Sequence, residues 1–315
     1  MRESTSARGP LPRATGVVDS LSAGFGVVNG QPWVILIPIL LDMFYLFGPR
    51  VSIAPLVSQF VTTPSFIRSF GPESPAAFIA FADEANLLGL LSPGGITLPT
   101  IVPALPGVAR GAFYMIDALG IAVLIGIGAL LLGAFFGSVY QTMIAQQTRD
   151  GELSILGIPR DAVLAWLRLI ALAFMVFAAM VVVTLPFAFV AAIAKMAVPG
   201  LEGLVLSMVG TLAMIAQLYL YFASDAILIG RVGPLQAIKD SVAVVHSGVW
   251  STLLLAILVT AALISMALLW SALASLASWG LALGIVGNAY IASGLVAAKM
   301  HFFQERIETL LAERS

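Results

Sequence analysis

Four ionisable residues stand inside or at the edges of long apolar runs, and they are the side chains most able to do chemistry: Asp42, Asp117, Arg168 and Asp225. A charge at membrane depth costs at least about 2–3 kcal/mol unless it is paired, solvated or protonated. Such residues therefore serve a proton or cation path, a substrate counter-ion site, or a structural ion pair. Asp225 and Arg168 fall at similar depths near the same end of their runs, so they are expected to pair or to share a polar pocket. Asp42 lies in the middle of the first run with no obvious cation nearby. Facing a wet cavity together with Asp117, it would suit a proton or cation pathway; bonded to a neighbouring Ser or Thr, or snorkelling outward, it would be structural.

Other chemistries find no residues to carry them. The chain has no cysteine, which excludes disulfides, thiolate catalysis and Cys-based metal sites. The two histidines, His246 and His301, are not accompanied by clustered acids, and Asp83-Glu84 is an isolated pair that reads as a solvated helix face. Gly126-Ile127-Gly128 and the run from Gly133 to Gly137 lie within an apolar stretch with no Lys-Ser or Lys-Thr after them, so they form no phosphate loop. Gly133/Gly137 and Gly280/Gly284 fit close helix packing instead. No nucleophile with a base beside it can be named. Catalytic, cofactor-binding and metal residues are thus expected to be none, and the chain is not expected to be an enzyme. A formal net charge of −1 without a basic cluster argues against nucleic acid as a partner.

The elements that must position these residues are membrane spans. Of 315 residues 60% are hydrophobic and 10% charged, where soluble domains carry about 25% charged residues. The pattern predicts an all-α polytopic membrane protein with six transmembrane helices in hairpins: Pro32 to Phe47, Ile116 to Tyr140, Ala162 to Leu185, Gly203 to Ile229, Ser251 to Leu273 and Gly280 to Ala298. Arg2, Arg8, Arg13, Arg149, Arg160, Arg168, Arg231, Lys239, Lys299, Arg306 and Arg314 fall on one side of this arrangement. The positive-inside rule makes that side cytoplasmic, with both termini inside the cell membrane. Trp33, Trp166 and Trp250 fall at inner ends, and Trp270 and Trp279 flank the last outer turn.

Residues 1–16 read as a flexible cytoplasmic tail ahead of a single transmembrane domain, 17–315, and the first run reads as an uncleaved span. Within that domain, 51–115 forms a long extracytoplasmic loop between spans 1 and 2. Ser74-Pro75 is expected to start a helix with a Ser cap and an apolar stripe of Phe78, Phe81, Ala82 and Ala85. The four prolines between Pro93 and Pro106 rule out a regular helix after it. The loop is expected to cover the outer face of the bundle or lie in the headgroup zone, with a re-entrant segment as the alternative.

An internal repeat is visible when Trp33 is set on Trp250. Val18, Leu21, Phe25 and Val28 then fall on Leu235, Ile238, Val242 and Val245, each set with the spacing of one helix stripe. Each copy predicts an amphipathic helix on the cytoplasmic surface followed by a span. The hairpins end alike, Gly137-Ser138-Val139-Tyr140 being echoed by Gly287-Asn288-Ala289-Tyr290. A third unit would run from Leu153 through Trp166.

The run from Phe222 to Leu228, then Gly233-Pro234-Leu235-Gln236-Ala237-Ile238-Lys239-Asp240-Ser241, Val244-Val245 and Trp250, resembles part of a broad bacterial family. That family is the six-span membrane domain attached to some glycerophosphoryl diester phosphodiesterases, together with related stand-alone membrane proteins. Gln236 stands where the family has an acid, and Asp240 where it often has a base. The resemblance implies architecture; the phosphodiesterase domain itself has no counterpart here. The expected function is a non-catalytic, membrane-organising or partner-binding scaffold whose partners are the lipid bilayer and other membrane proteins. The alternative is a transporter or channel component using Asp42 and Asp225; no small-molecule substrate is indicated, and no span carries a continuous polar stripe.

Overall fold

The computed structural model describes residues 16–93, 98–105, 107–197 and 201–314. Most of the tail expected at 1–16, and part of the proline-rich stretch, lie outside them. The described residues form α1 (Val17–Gly30), α2 (Leu36–Phe47), α3 (Ala54–Val61), α4 (Pro64–Phe70), α5 (Ser74–Glu84), α6 (Leu119–Asp150), α7 (Ile158–Ala197), α8 (Leu201–Tyr219), α9 (Ala223–Gly230), α10 (Pro234–Ser247), α11 (Val249–Leu276) and α12 (Ser278–Arg314). This is an all-α polytopic membrane protein. A single parallel pair of three-residue strands, β1 (Arg50–Ser52) and β2 (Phe113–Met115), clips together the two ends of the inserted segment.

Among the described residues five helical spans are long and apolar enough to cross a bilayer: α6, α7, α8 continued by α9, α11 and α12. A sixth exists only if α1 and the Pro32–Phe47 stretch are one broken span, bent by 91°. Taken alone, the first expected span is too short. The 12 residues of α2 rise about 18 Å, against a hydrocarbon layer of about 30 Å.

The inserted segment does more than cover the outer face. After α5 it turns inward and runs beside α6, where a Cβ on Gly133 would lie 2.0 Å from the carbonyl oxygen of Leu91. Gly133 sits about 21 Å along the helix from Leu119. The close approach at Gly133 is made by the short 3-10 helix Leu87–Leu91 of the inserted segment. Leu98 is buried in the same core as Tyr140 and Val34, so this part of the segment packs into the bundle. The expected helix at Ser74 is present, but Glu73 rather than Ser74 holds the N-cap position, and the Ser74 hydroxyl bonds the Phe70 carbonyl. Of its expected stripe only Ala82 is fully buried; Phe81 is 73% exposed.

α12 is the central helix. The core forms around it at the basic end, where Phe222 stacks on Phe302 with centroids 5.6 Å apart and Tyr140, Ile144, Ile227 and Val245 complete the packing. Gly280 and Gly284 allow α11 to press on α12, with Trp270 lying over Gly284 and Gly287. Trp270 is thus a packing residue rather than an interfacial anchor.

The two leading helices match closely. α1 and α10 are each 14 residues long, begin after a glycine N-cap in nearly the same conformation (Gly16 φ −70°, ψ 164°; Gly233 φ −75°, ψ 165°), and end at equivalent positions, Gln31 (φ −139°, ψ 67°) and Gly248 (φ −158°, ψ 60°). The expected stripe is partly buried in each: Val28 and Val245 are buried, and Leu21 and Ile238 pack against the core from partly buried positions. α1 buries Ser20, Gly24 and Val28, and α10 buries Ala237, Ser241 and Val245, while Val18 and Leu235 point outward. The third unit has no separate leading helix, because α7 runs unbroken through Trp166.

α1 is held against α12 by a contact only glycine permits. A Cβ on Gly24 would lie 2.4 Å from the Ala298 nitrogen and the Gly294 oxygen, whereas a Cβ on Gly26 would meet nothing within 4 Å. Gly24→Ala is expected to cost about 1–3 kcal/mol. Gly26→Ala is expected to be neutral or to stabilise by up to about 1 kcal/mol. Thermal unfolding in detergent, followed by size exclusion, checks the pair; equal melting temperatures would contradict the contact.

Candidate functional site

Asp42 is fully buried, and its carboxylate is occupied by backbone. It accepts from the Ile101 amide at 3.0 Å and from the Val102 amide at 2.9 Å, at the start of a short 3-10 turn. Two neighbours assist with the same segment: the Ser92 hydroxyl takes the Leu98 amide, and the Tyr45 hydroxyl donates to the Leu88 carbonyl at 3.3 Å. These side chains satisfy groups that lack water at membrane depth. Asp42 therefore anchors the inserted segment through its backbone, where the sequence offers a wet cavity shared with Asp117, a bond to a neighbouring Ser or Thr, or outward snorkelling. Asp117 is exposed and lines neither cavity described below.

Asp225 and Arg168 do not pair. Asp225, on the first turn of α9, is buried and forms an ion pair with Lys299 of α12 at 3.1 Å. Lys299 also lies over the Tyr221 ring, 5.1 Å from its centroid. The break between α8 and α9 is closed by Ser241 of α10, whose hydroxyl accepts from the Phe222 amide at 3.1 Å and donates to the Tyr219 carbonyl at 2.7 Å. Asp225 thereby ties this broken span to the central helix. Lys299, read from the sequence only as an orientation signal, is its partner.

Arg168 belongs to a different site. Its guanidinium donates to the Arg231 carbonyl at 2.7 Å, at the end of α9, where Arg231 adopts a left-handed backbone conformation (φ 51°). Arg149 reaches the Ile229 carbonyl at 3.4 Å and pairs with Asp150 at 2.6 Å. Cations at a helix C-terminus complement its dipole. Together with Arg160 and Arg231, these two arginines line a cavity of about 220 Å³ between α6, α7 and α9. A single carboxylate lines it, that of Asp161, which is paired with Arg231 and accepts from the Gln146 side-chain nitrogen at 3.1 Å.

Two buried polar atoms lining this cavity have no partner: the Thr142 hydroxyl and the Gln146 side-chain carbonyl oxygen. They sit one helical turn apart on α6 and so share a face. The sequence reading used Arg149, Arg160 and Arg231 only to orient the bundle. The legible signal was Thr142 with Gln146, an i, i+4 polar pair at the end of an apolar helix. A second cavity, under α5, is lined by Tyr45, Arg50, Asn86 and Ser92. Its polar groups already bond the loop's own backbone, as with Arg50 to Glu84 at 3.1 Å and Asn86 to the Val51 amide at 2.9 Å. Neither cavity is lined by Asp42 or Asp225. Among the described residues no group of His, Asp and Glu could hold a metal ion.

No protein-family model, curated protein or solved structure matches this chain.

Removing the Asp42 carboxylate by Asp42→Ala exposes two buried amides. Hydrogen exchange at Ile101 and Val102 is expected to quicken by about tenfold or more, the counterpart of losing charge-assisted bonds of about 1.5–3 kcal/mol. Unchanged protection there would detach Asp42 from the segment.

Breaking one side of the buried ion pair, by Asp225→Asn or Lys299→Met, is expected to cost about 3–5 kcal/mol, with the double variant costing less than the two singles combined. Thermal melts of all four proteins measure the coupling, and strict additivity would show that the pair does not interact.

Proposed function

We propose that this protein is a non-catalytic membrane component whose bundle and two leading helices organise lipid or a partner protein at the cytoplasmic face of the cell membrane. The observation that carries this reading is the matched construction of α1 and α10. Each buries small residues together with valines against the bundle, Gly24 with Val28 and Ala237 with Val245, and leaves its first apolar residue outward, Val18 at 73% exposed and Leu235 at 58%. An outward apolar residue on a helix lying beside the bundle suits the headgroup boundary. The common length and cap conformations support α1 with α2, and α10 with α11, as two copies of one unit. The likeness of residues 222–250 to the six-span membrane domain family fits the same architecture. The sidedness follows from the distribution of Arg and Lys.

Use of Asp42 and Asp225 within the fold weighs against transport, since a transported cation or proton needs a carboxylate that it can reach. Because the chain has no cysteine, single cysteines at positions 18 and 235 can carry spin labels without background. In proteoliposomes both labels are expected to relax with oxygen dissolved in the lipid more than with an aqueous nickel complex. In the same vesicles, proton leak is expected to equal that of protein-free vesicles. Labels reached only from water would remove the lipid-facing role. A proton flux that is lost in folded Asp225→Asn protein would establish transport instead.

A further inference from the structure

We propose that the cavity between α6, α7 and α9 is a binding site for a phosphate group that carries a hydrogen-bond donor beside it, presented by a phospholipid headgroup or by a soluble phosphate ester. The charge balance sets the sign of the ligand. Four guanidinium groups line the cavity against one carboxylate, and adding Asp150 at the rim still leaves two positive charges in excess. Part of this charge has a structural explanation, because Arg149 and Arg168 cap the end of α9. Capping does not exhaust them. A guanidinium has five N–H donors; Arg168 commits one to the Arg231 carbonyl, and Arg160 has no hydrogen bond or ion pair among the described residues.

The second observation is independent of charge. The Thr142 hydroxyl and the Gln146 carbonyl oxygen are buried, with residue exposures of 5% and 3%, line the cavity and have no partner. A buried polar atom without a partner costs about 1–3 kcal/mol, so the fold keeps this pair at a disadvantage unless something bonds them. Their chemistries differ in a useful way. The hydroxyl donates to a phosphate oxygen, as the arginines do, whereas the amide oxygen only accepts and so calls for a hydroxyl or amine on the ligand. At about 220 Å³ the cavity exceeds the about 30 Å³ share of one water molecule, leaving room for a phosphate and a short polar substituent.

The test uses the full chain in nanodiscs and two variants that leave the framework bonds in place. Arg160→Gln removes an exposed guanidinium with no partner; Thr142→Val removes the unpaired hydroxyl at constant volume. Lys239→Gln, on the exposed side of α10, is the control. The lipid arm measures retention of phosphatidylglycerol relative to phosphatidylcholine by native mass spectrometry. The soluble arm measures binding of inorganic phosphate and glycerol phosphate by calorimetry.

Preferential retention of phosphatidylglycerol is expected, reduced about tenfold by Arg160→Gln and by Thr142→Val, the effect of losing one charge-assisted hydrogen bond. It should be unchanged in Lys239→Gln, with all melting temperatures alike. Variant-sensitive binding of glycerol phosphate without lipid preference would support the same phosphate site with a soluble source. Binding that ignores both variants, or no binding in either arm, would overturn the proposal.

Discussion

A backbone amide or carbonyl within a bilayer has no water to bond, and any departure from regular helix must be repaired by a side chain. This constraint explains several of the polar residues in the bundle. Asp42 holds the Ile101 and Val102 amides of the inserted segment, Ser241 bridges the break between α8 and α9, and Arg149 and Arg168 take the carbonyls at the end of α9. Ser138 adds a further link, from α6 to the Ala162 carbonyl of α7 at 3.1 Å. The irregular parts of the chain are where elements cross, and so the same few side chains that satisfy them also tie the bundle together.

The constraint also alters how buried charge is read. The sequence leaves Asp42 between a wet cavity, a bond to a neighbouring Ser or Thr, and snorkelling; its partner is instead the backbone of a distant loop. Asp225 does form an ion pair, with a lysine that enters from α12 rather than with the arginine at matching depth on α7. Thr142 and Gln146 repair no break in the backbone and both line a cavity, which is why that cavity draws the functional argument when more conspicuous carboxylates do not.

Much of this fold was legible in the chain. Apolar length gave α6, α7, α11 and α12, and the pairing of Trp33 with Trp250 located two helices whose bounds coincide residue for residue. Periodicity located an apolar stripe without saying what it faces, since in a membrane both protein and lipid are apolar; Ser20, Gly24 and Ser241, which lie outside the stripe, share the buried face with Val28 and Val245. The first span, Pro32 to Phe47, makes a sixth crossing only together with α1, across a 91° bend that hydropathy does not register. Contacts between distant segments, such as Asp42 with Ile101 or Asp225 with Lys299, leave no trace in local pattern, so the partners at the site could not be read even where the residues could.

The contact of Gly24 with Gly294 and Ala298 joins the second-hundredth part of the story to its end: the first helix described docks on the last. A chain made from its N-terminus must complete the ten described α-helices α2 to α11 before the groove that receives α1 exists. Until then the face of α1 that carries Gly24 is uncovered. α12 closes the molecule in the manner of a clasp: a chain lacking it loses the partner of Asp225 and the seat of α1 together.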